Sequence, residues 1–302
     1  MLVFLDGQIL PAADARISPF DRGFLFGDGI YEGLRATALS GGRAIIGLNR
    51  HIRRMQNGLD EIGIMFDVAA LARATDELLD TSKLSEAFVY WQVTRGTPPA
   101  GAPVRSRIPA PGTKPTSFIY VQPLQPIDPL AGPAIKSAGT QPDLRWLRGT
   151  IKSISLLGNL LASIAAYEAG ENGGEEAILI RSTPPPEGGL VTEGTYTNVL
   201  IVTEQGELAT PSMESAPLLD GITRQILLGI EPEGRKISVR AVREAELATA
   251  REVILLGTTT MVTSITRLDG RPVSGGKPGP VAQRLSRVLI DCIAGRRDDI
   301  GR

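Results

Sequence analysis

Lys152 is the residue whose type and position most clearly allow chemistry. It lies in the run Thr150–Ile154, directly before an apolar stretch with helical spacing and far from the other lysines. A lysine at the edge of a core loses part of its hydration, which favours the neutral amine. A neutral amine can form a Schiff base or accept a proton, so Lys152 is a candidate catalytic residue. The alternative is a boundary lysine that extends its ammonium group into solvent.

Glu193 is the second candidate, because it lies between two strand-like runs in the segment Val191–Val199. A carboxylate in such a position is partly buried and requires a cation or a hydrogen-bond donor beside it. The alternative is an ordinary turn in which Glu193 faces solvent.

Two turns have the composition of an anion site. Leu219–Arg224 places Asp220-Gly221 before a helical pattern, and the first N–H groups of a helix have no partner inside it. Gly257–Thr260 follows a buried strand-like run and offers N–H and hydroxyl donors. Either turn can be purely structural, but both are suited to a phosphate group.

The composition argues against several other kinds of site. The 302 residues carry a net charge of -1, with 42% hydrophobic and 22% charged residues, which is typical of a globular enzyme. This near-balance of charge gives no reason to expect a nucleic-acid or membrane partner. The single cysteine, Cys292, excludes a disulfide framework, and the single histidine, His51, argues against a zinc enzyme. We therefore predict no metal site.

No targeting or membrane-spanning segment is recognisable in the sequence. The N-terminal residues lack a basic region, and their apolar run is broken at Asp6-Gly7. The longest apolar stretches, such as Val253–Leu256, are far shorter than the roughly 20 residues of a membrane helix. We therefore expect a cytoplasmic protein.

The elements that must position these residues fall into two halves. In the first half, alternation and helical spacing predict a hairpin, three strands and two helices. Their ranges are 2–10 for the hairpin, 29–38, 87–95 and 116–121 for the strands, and 49–62 and 68–81 for the helices. The long loop Gly96–Pro115 between two of the strands is a candidate functional loop.

The Pro-rich segment Gln122–Pro133 is the predicted linker between a domain of residues 1–121 and one of residues 134–302. In the second half, a strand without assigned bounds precedes a helix over 155–169. Strand-like runs follow, and the chain closes with an amphipathic helix. These runs are 177–180, 199–202 and 253–256, and the final helix covers 281–293. Helices and strands without regular alternation indicate an α+β fold.

Several segments together resemble the class IV aminotransferases, which are fold-type IV pyridoxal-phosphate enzymes, and most closely their D-amino-acid branch. The resemblance runs from about Phe4 to beyond Asp269-Gly270. The segments that carry it are Asp21–Glu32, Gln92–Thr97, Asp143–Arg148, Ile151–Ser153 and Leu156–Gly158. It implies a two-domain α+β fold with a small N-terminal and a larger C-terminal domain. It also implies a homodimer that binds pyridoxal 5'-phosphate and acts on amino acids and 2-oxo acids.

The resemblance also implies roles for individual residues. Lys152 is the Schiff-base lysine and carries the proton between the substrate Cα and the cofactor C4′. Glu193 lies beside the pyridine nitrogen and keeps it protonated. Leu219 packs on the cofactor ring, and Arg148 and Asn198 support the site. The phosphate is held by Arg54, by Gly221, Ile222 and Thr223, and by Gly257 and Thr258. The substrate pocket is lined by Tyr31, Tyr90 and Thr259.

One departure concerns the group that binds the substrate α-carboxylate. The D-amino-acid branch uses an arginine and a histidine two residues apart, and the matching positions here are Ala100 and Ala102. Arg105 and Arg107 in the longer loop are candidates for this role, as is Arg35, which shares a strand face with Tyr31.

The segment Glu32–Ala36 is more similar to the branched-chain L-amino-acid branch. A branched-chain aminotransferase, an aminodeoxychorismate lyase and an (R)-selective amine transaminase therefore remain alternatives within the fold. A binding protein that has lost turnover is the alternative from another class. His51, at the start of a helix beside Arg54, is interpreted as a capping or supporting group rather than an acid–base catalyst.

Overall fold

The protein divides into two compact units. The structure, a computed structural model, describes residues 1–184, 188–230 and 236–295. The first unit comprises Met1–Pro126 together with Ile151–Ser155, and the second comprises Ile127–Thr150 and the described residues between 156 and 295. Among the described residues, no helix combines the length and apolar character needed to cross a membrane.

The first unit is built on a six-stranded antiparallel sheet with strand order β2-β1-β6-β5-β3-β4. Its strands are β1 (Leu2–Leu5), β2 (Gln8–Pro11), β3 (Gly29–Leu39), β4 (Gly42–Ile45), β5 (Ala87–Thr97) and β6 (Lys114–Pro123). Its helices are α1 (Arg22–Phe26), α2 (Leu48–Glu61) and α3 (Ala69–Ser82). The predicted hairpin is confirmed, and Asp6 and Gly7 both adopt the positive φ of a type I′ turn.

One face of this sheet is covered by α2 and α3. Ile30 and Trp91 from the strands pack with Met55, Leu59 and Leu78 from the helices in one fully buried cluster. Apolar residues that recur every three or four positions place one stripe of each helix against the sheet. The predicted helices 49–62 and 68–81 are therefore confirmed to within one residue at each end.

The predicted loop Gly96–Pro115 is shorter than expected, because β5 continues to Thr97 and β6 begins at Lys114. The pairing of the two strands shifts register between Thr94 and Thr97. Gly96, at φ 92, lies in this irregularity, and a Cβ there would overlap the Lys114 carbonyl oxygen. The glycine thus allows both strands to continue past the shift.

The second unit contains a nine-stranded mixed sheet in the described residues. Its strand order is β12-β11-β10-β13-β14-β7-β8-β9, with β15 paired to β14. The strands are β7 (Ala134–Pro142), β8 (Glu176–Arg181), β9 (Leu190–Gly194), β10 (Asn198–Val202), β11 (Leu208–Pro211), β12 (Ser238–Arg240), β13 (Glu252–Gly257), β14 (Met261–Leu268) and β15 (Arg271–Pro272). The helices are α4 (Leu157–Glu168), α5 (Ile222–Leu228), α6 (Glu244–Ala248) and α7 (Pro280–Ile293).

The C-terminal helix α7 is fixed to the sheet at its first turn. The buried carboxylate of Glu252, on β13, accepts hydrogen bonds from the N–H groups of Val281 and Ala282 at 3.0 and 2.9 Å. A negative group at a helix N-terminus satisfies donors that have no partner within the helix. The predicted helix 281–293 is confirmed, with Pro280 added as its first residue.

Candidate active site

Lys152 lies on a short extended segment that joins the first unit at the edge of β3. Ser153 pairs with Ile30 in an antiparallel bridge. The N–H of Tyr31 donates to the Lys152 carbonyl at 3.0 Å, and the N–H of Ile154 donates to the Gly29 carbonyl at 3.1 Å. Because side chains alternate across a sheet, this pairing puts the Lys152 and Tyr31 side chains on one face. The Lys152 Nζ lies 4.3 Å from the centroid of the Tyr31 ring.

The face that carries Tyr31 is aromatic. Tyr31 stacks on Tyr90 with ring centroids 5.7 Å apart, and Tyr90 stacks on Tyr120 at 5.0 Å. The Tyr90 hydroxyl donates to Oε1 of Gln92 at 2.7 Å. Burial raises the pKa of Tyr90, and the neighbouring Tyr31 and Tyr120 add to the effect. The Tyr90 hydroxyl is therefore a neutral hydrogen-bonding group at all ordinary pH values.

On the helix-covered face of β3, Glu32 binds two residues of α2. Nε of Arg54 lies 2.7 Å from Oε1 of Glu32, and Nη2 of Arg54 lies 2.7 Å from Oε2. Nδ1 of His51 lies 2.7 Å from the same Oε2. Burial acts to raise the pKa of Glu32, but the charge of Arg54 and the hydrogen bonds outweigh it and hold that pKa well below its ordinary value.

His51 is fully buried, and burial is the main reason that its pKa lies below the ordinary value. Glu32 opposes this shift, whereas the positive charges of Arg54 and Lys152 contribute to it. A neutral His51 that donates from Nδ1 to Glu32 fits this environment. Nε2 of His51 is buried and has no hydrogen-bond partner among the described residues.

The three arginines proposed for the α-carboxylate have different surroundings. Arg35 is buried, donates to the Gln125 carbonyl at 2.7 Å, and lies 3.8 Å from Glu86. Arg105 and Arg107 are exposed, and the Arg105 guanidinium lies 5.8 Å from the Phe26 ring centroid. Arg35 therefore already has acceptors, whereas the two loop arginines present their charges to solvent.

The loop that carries Arg105 and Arg107 is held by Arg22. The buried Arg22 guanidinium donates to the carbonyls of Ser106 and Arg107 at 2.6 and 3.2 Å. Its Nε donates to Asp28 at 2.8 Å. These bonds attach the middle of the loop to the N-terminal segment of the same unit.

In the second unit, Glu193 is a buried carboxylate with three donors. Oε1 lies 2.5 Å from Nη1 of Arg145. Oε2 accepts from the Leu219 N–H at 3.1 Å and from Nδ2 of Asn198 at 3.4 Å. The solvent-facing turn considered for Glu193 is therefore wrong, and the alternative of a partly buried, paired carboxylate is confirmed.

Arg145 is itself fixed by a second carboxylate. Its Nε and Nη2 donate to Oδ1 and Oδ2 of Asp143 at 2.9 and 3.0 Å. Burial acts to lower the pKa of Arg145, but Asp143 and Glu193 outweigh it and raise that pKa. Arg145 is thus a permanent cation that faces Glu193 in a fixed orientation. Arg148, from the same segment, is exposed.

Gly221 lies where the chain passes Asn198. Nδ2 of Asn198 donates to the Leu219 carbonyl at 2.8 Å, which fixes the half-buried Leu219 next to Glu193. A Cβ on Gly221 would overlap Oδ1 of Asn198. Only glycine fits this close approach without displacing the amide.

The predicted anion turns lie at the start of α5 and between β13 and β14. Gly221 precedes α5 without a side-chain cap, so the first N–H groups, those of Ile222 and Thr223, are available. In the other turn, Thr258 is half-buried and Thr259 is exposed. Oγ1 of Thr260 is buried without a hydrogen-bond partner among the described residues. A Cβ on Gly257 would lie 2.5 Å from that oxygen.

Two supporting residues were not predicted from the sequence: Arg145 as the partner of Glu193, and Glu32 as the partner of Arg54. An acidic partner such as Glu32 could have been expected from the sequence, because His51 and Arg54 are three residues apart and share one face of α2. Two basic side chains directed at a sheet require an acid on it. Arg145 gives no such signal, since it lies far from Glu193 in the sequence.

Comparison with known proteins identifies the family. The sequence pattern of amino-transferase class IV matches residues 29–268. The chain is 35% identical to a D-alanine aminotransferase of Bacillus licheniformis over 97% of each chain. It is 34% identical to that of Staphylococcus haemolyticus over 97% of this chain and 98% of the relative.

The chain belongs to the class IV aminotransferases. This class IV aminotransferase is a transaminase that depends on pyridoxal 5'-phosphate. Its fold is similar to the branched-chain aminotransferase of Thermobaculum terrenum, at 24% identity and a TM-score of 0.81. That similarity covers 98% of this chain and 95% of the other. The Escherichia coli branched-chain enzyme shares the fold at 21% identity and a TM-score of 0.83, over 100% of this chain and 97% of the other. The predicted fold class is thereby confirmed.

The residues of this class IV aminotransferase fit the cofactor. The first unit contains the Lys152 amine beside the Tyr31 ring, and the second unit contains the buried Glu193 carboxylate paired with Arg145. The uncapped start of α5 and the buried Oγ1 of Thr260 provide donors without acceptors, as a phosphate requires. The glycines at 221 and 257 leave no space for a Cβ and fix the shape of these turns.

Proposed function

We propose that this transaminase moves an amino group between a D-amino acid and a 2-oxo acid. The observation that carries the proposal is the set of curated D-alanine aminotransferases that are 32–35% identical to the chain over 94–97% of its length. Similarity over nearly the whole chain includes both the lysine segment and the loop region. The relatives' substrate is therefore the best guide to the substrate class of this enzyme.

Branched-chain L-amino-acid aminotransferase activity is the second candidate. Its support is the fold of the solved branched-chain enzymes and the segment Glu32–Ala36. Arg35 is the cation that this alternative offers for the α-carboxylate. Its hydrogen bond to the Gln125 carbonyl and its ion pair with Glu86 argue against it, because a substrate would have to compete with both.

Lys152 is the catalytic residue of the proposed reaction. When bound, pyridoxal 5'-phosphate supplies a carbonyl that takes up the amino group and a ring that accepts the electrons of the Cα–H bond. The Lys152 amine binds the cofactor covalently at rest and carries the substrate Cα proton during turnover. The Tyr31 ring beside Nζ restricts the positions that this amine can take.

Glu193 acts on the pyridine nitrogen. A carboxylate keeps that nitrogen protonated, and a protonated ring withdraws electrons more strongly than a neutral one. Arg145 and the Leu219 N–H hold Glu193 through its two carboxylate oxygens. Leu219 packs on the cofactor ring, and Asn198 supports it.

The phosphate is bound by backbone and side-chain donors from both anion turns and by Arg54. The N–H groups of Ile222 and Thr223, with Gly221 before them, supply the partial positive charge of a helix start. Thr258, with Gly257 before it, adds a second group of donors. Arg54 adds a planar guanidinium, whose donors match phosphate oxygens in pairs.

The substrate pocket is lined by Tyr31, Tyr90 and Thr259, and the α-carboxylate is bound by Arg105 or Arg107. A guanidinium binds a carboxylate with two parallel hydrogen bonds and so fixes the orientation of the substrate. Exposed arginines on a loop anchored by Arg22 are suited to this role, because the anchor limits how far they move.

The enzyme acts as a homodimer in this proposal. The helix α4 presents one apolar face to solvent, and the exposed fraction of its large side chains lies between 51% and 79%. These side chains recur at intervals of three and four residues, which is the pattern of a buried helix face. They are Leu157, Leu160, Leu161, Ile164 and Tyr167. A second copy of the chain would remove this surface from water.

We also propose a cytoplasmic location for the enzyme. Its one cysteine, Cys292, is buried and has no second cysteine in the chain to pair with, and proteins of the cytoplasm rarely contain disulfides.

A half-reaction screen tests the proposed function. The cofactor-loaded enzyme is mixed with single D- and L-amino acids, and the visible absorption band is followed without an amino acceptor. We expect D-alanine and related D-amino acids to change the spectrum at least about tenfold faster than their L-enantiomers. Faster reaction with L-leucine or L-valine would instead support the branched-chain alternative.

A further inference from the structure

We propose that Glu32 is a positioning residue for the cofactor phosphate, because it holds the Arg54 guanidinium in the orientation that the phosphate requires. The inference rests on the proposed role of Arg54 as a phosphate ligand. It goes beyond that role because it assigns a function to Glu32, a carboxylate on β3 that contacts Arg54 on α2.

The geometry of the pair supports a positioning function. Both oxygens of Glu32 are engaged by the Arg54 guanidinium, with Nε on one and Nη2 on the other at 2.7 Å each. Two parallel hydrogen bonds fix the plane of a guanidinium, whereas one bond leaves it free to rotate. Glu32 itself is held in place, since it is fully buried on β3 and paired there with β5. The position of Arg54 is therefore set by the sheet.

His51 completes the arrangement as the group that holds Glu32. Its Nδ1 lies 2.7 Å from Oε2, the oxygen that also accepts from Nη2 of Arg54. A neutral imidazole donates one hydrogen bond without adding a charge, so the full negative charge of Glu32 acts on Arg54. Burial, together with the nearby positive charges, keeps the pKa of His51 low enough for this neutral form.

The charge of Glu32 and its orientation of Arg54 predict opposite effects on phosphate binding when the Glu32 carboxylate is removed. Glu32 cancels the charge of Arg54, so its neutralisation would increase the long-range attraction for a phosphate dianion. Glutamine offers the guanidinium only one oxygen acceptor, so the same change would leave the plane of the Arg54 guanidinium free to rotate. Arg54 is largely buried, and a fixed donor in such a place binds more strongly than a mobile charge. We therefore expect orientation to dominate.

The test compares two cofactor forms that differ only in the phosphate. The full-length protein, freed of cofactor, is titrated with pyridoxal 5'-phosphate and with pyridoxal, and binding is followed by absorbance. Both forms react with Lys152, so the covalent contribution is shared. Glu32→Gln should weaken binding of pyridoxal 5'-phosphate by about 10–100-fold and of pyridoxal by less than about 2-fold. Arg53→Lys, on the exposed side of the same helix, is the matched control and should change neither.

A double variant tests whether Glu32 acts through Arg54. Arg54→Lys alone should weaken pyridoxal 5'-phosphate selectively, and adding Glu32→Gln should weaken it no further. If Glu32→Gln does not fold, Glu32→Asp serves instead, because it keeps the charge but withdraws the acceptor pair from Arg54.

Three results would overturn the inference. Tighter binding of pyridoxal 5'-phosphate by Glu32→Gln would show that charge dominates. Equal loss for both cofactor forms would show that Glu32 only supports the fold. If Arg54→Lys loses no selectivity for the phosphate, the proposed role of Arg54 itself fails, and the inference fails with it.

Discussion

Nη1 of Arg145 lies 2.5 Å from Oε1 of Glu193, and Asp143 holds the opposite side of the same guanidinium. The carboxylate that we propose to act on the pyridine nitrogen is thus bound to a cation whose orientation is fixed by Asp143. The pair is buried, so each charge depends on the other to remain in the interior. Replacing Glu193 with a neutral residue is therefore the most informative substitution in the second unit.

Glu193→Gln should lower kcat by at least about 100-fold while the cofactor stays bound. Glutamine cannot keep the ring nitrogen protonated, and it leaves Arg145 facing a neutral group. The measurement is the single-turnover rate with D-alanine, with bound cofactor quantified by absorbance. Glu204→Gln, the same change at an exposed position, is the control and should leave the rate unchanged. A Glu193→Gln enzyme with normal turnover would contradict the proposed role.

Lys152→Ala should abolish turnover, because no other group in the proposed mechanism carries the Cα proton. The backbone of this segment should stay in place, since its bond to β3 is made by the Lys152 carbonyl rather than by the side chain. Activity with D-alanine and the absorption spectrum are the two readouts. Lys277→Ala, at an exposed lysine, should behave as the unchanged enzyme. Retention of full activity by Lys152→Ala would refute the assignment.

Arg105→Ala or Arg107→Ala should lower the specificity constant for D-alanine by roughly 10–150-fold, because a charge-assisted contact contributes ~1.5–3 kcal/mol. The same variants should react normally with an amine that lacks a carboxylate. Arg35→Ala is the comparison, since Arg35 is the rival cation. If only Arg35→Ala loses activity toward D-alanine, the loop assignment is wrong. Equal losses for D-alanine and the amine would indicate structural damage.

Gly221→Ala should destabilise the protein by ~1–3 kcal/mol and weaken cofactor binding, because the new Cβ would overlap the amide oxygen of Asn198. Displacement of Asn198 would also disturb Leu219, whose carbonyl it binds. Urea unfolding and cofactor titration measure the two effects. Gly132→Ala, where no atom lies within 4 Å of the added methyl group, is the matched control. Equal behaviour of the two variants would show that the close approach is tolerated.

The stabilising effect of Glu32 should depend on pH. Arg54 and the hydrogen bonds hold the pKa of Glu32 below its ordinary value despite burial, so the folded protein binds the proton more weakly than the unfolded chain. The contribution is therefore complete above the ordinary pKa and is lost as the pH falls through the lower folded value. We expect the contribution of the Glu32 carboxylate to the free energy of unfolding, measured against Glu32→Gln, to be fully present at about pH 5.5. It should shrink below that. A constant contribution down to pH 3 would contradict this.

The helices could be located from the sequence more completely than the edges of the sheets. The long helices α2, α3 and α7 have apolar stripes that alone define their bounds to within about a residue. The helix α1 is only five residues long, and its position depends on Asp21, whose carboxylate accepts from the Gly23 N–H. The bounds of β7 depend on its parallel partners, β14 and β8, rather than on any alternation of its own.

For the candidate site, the sequence is sufficient to propose the reacting groups but not to predict the residues that hold them. Lys152 and Glu193 stand out by residue type and neighbouring sequence. Their surroundings depend on contacts between distant segments, such as Arg145 with Glu193 or Arg22 with the carbonyl of Arg107. Such contacts are decided by the pairing of strands and the path of loops, on which a single sequence carries little information.

The inclusion of Ile151–Ser155 in the first unit has a consequence for the order in which the newly made chain can fold. The edge of β3 at Ile30 and Tyr31 is completed by a segment that is synthesised well after Pro126. At ~5–20 residues per second, a ribosome adds that segment on the order of seconds after the rest of the unit. During this interval the β3 edge has unpaired N–H and C=O groups that another nascent chain could bind. Lys152, the proposed catalytic residue, thus arrives on the segment that closes this edge.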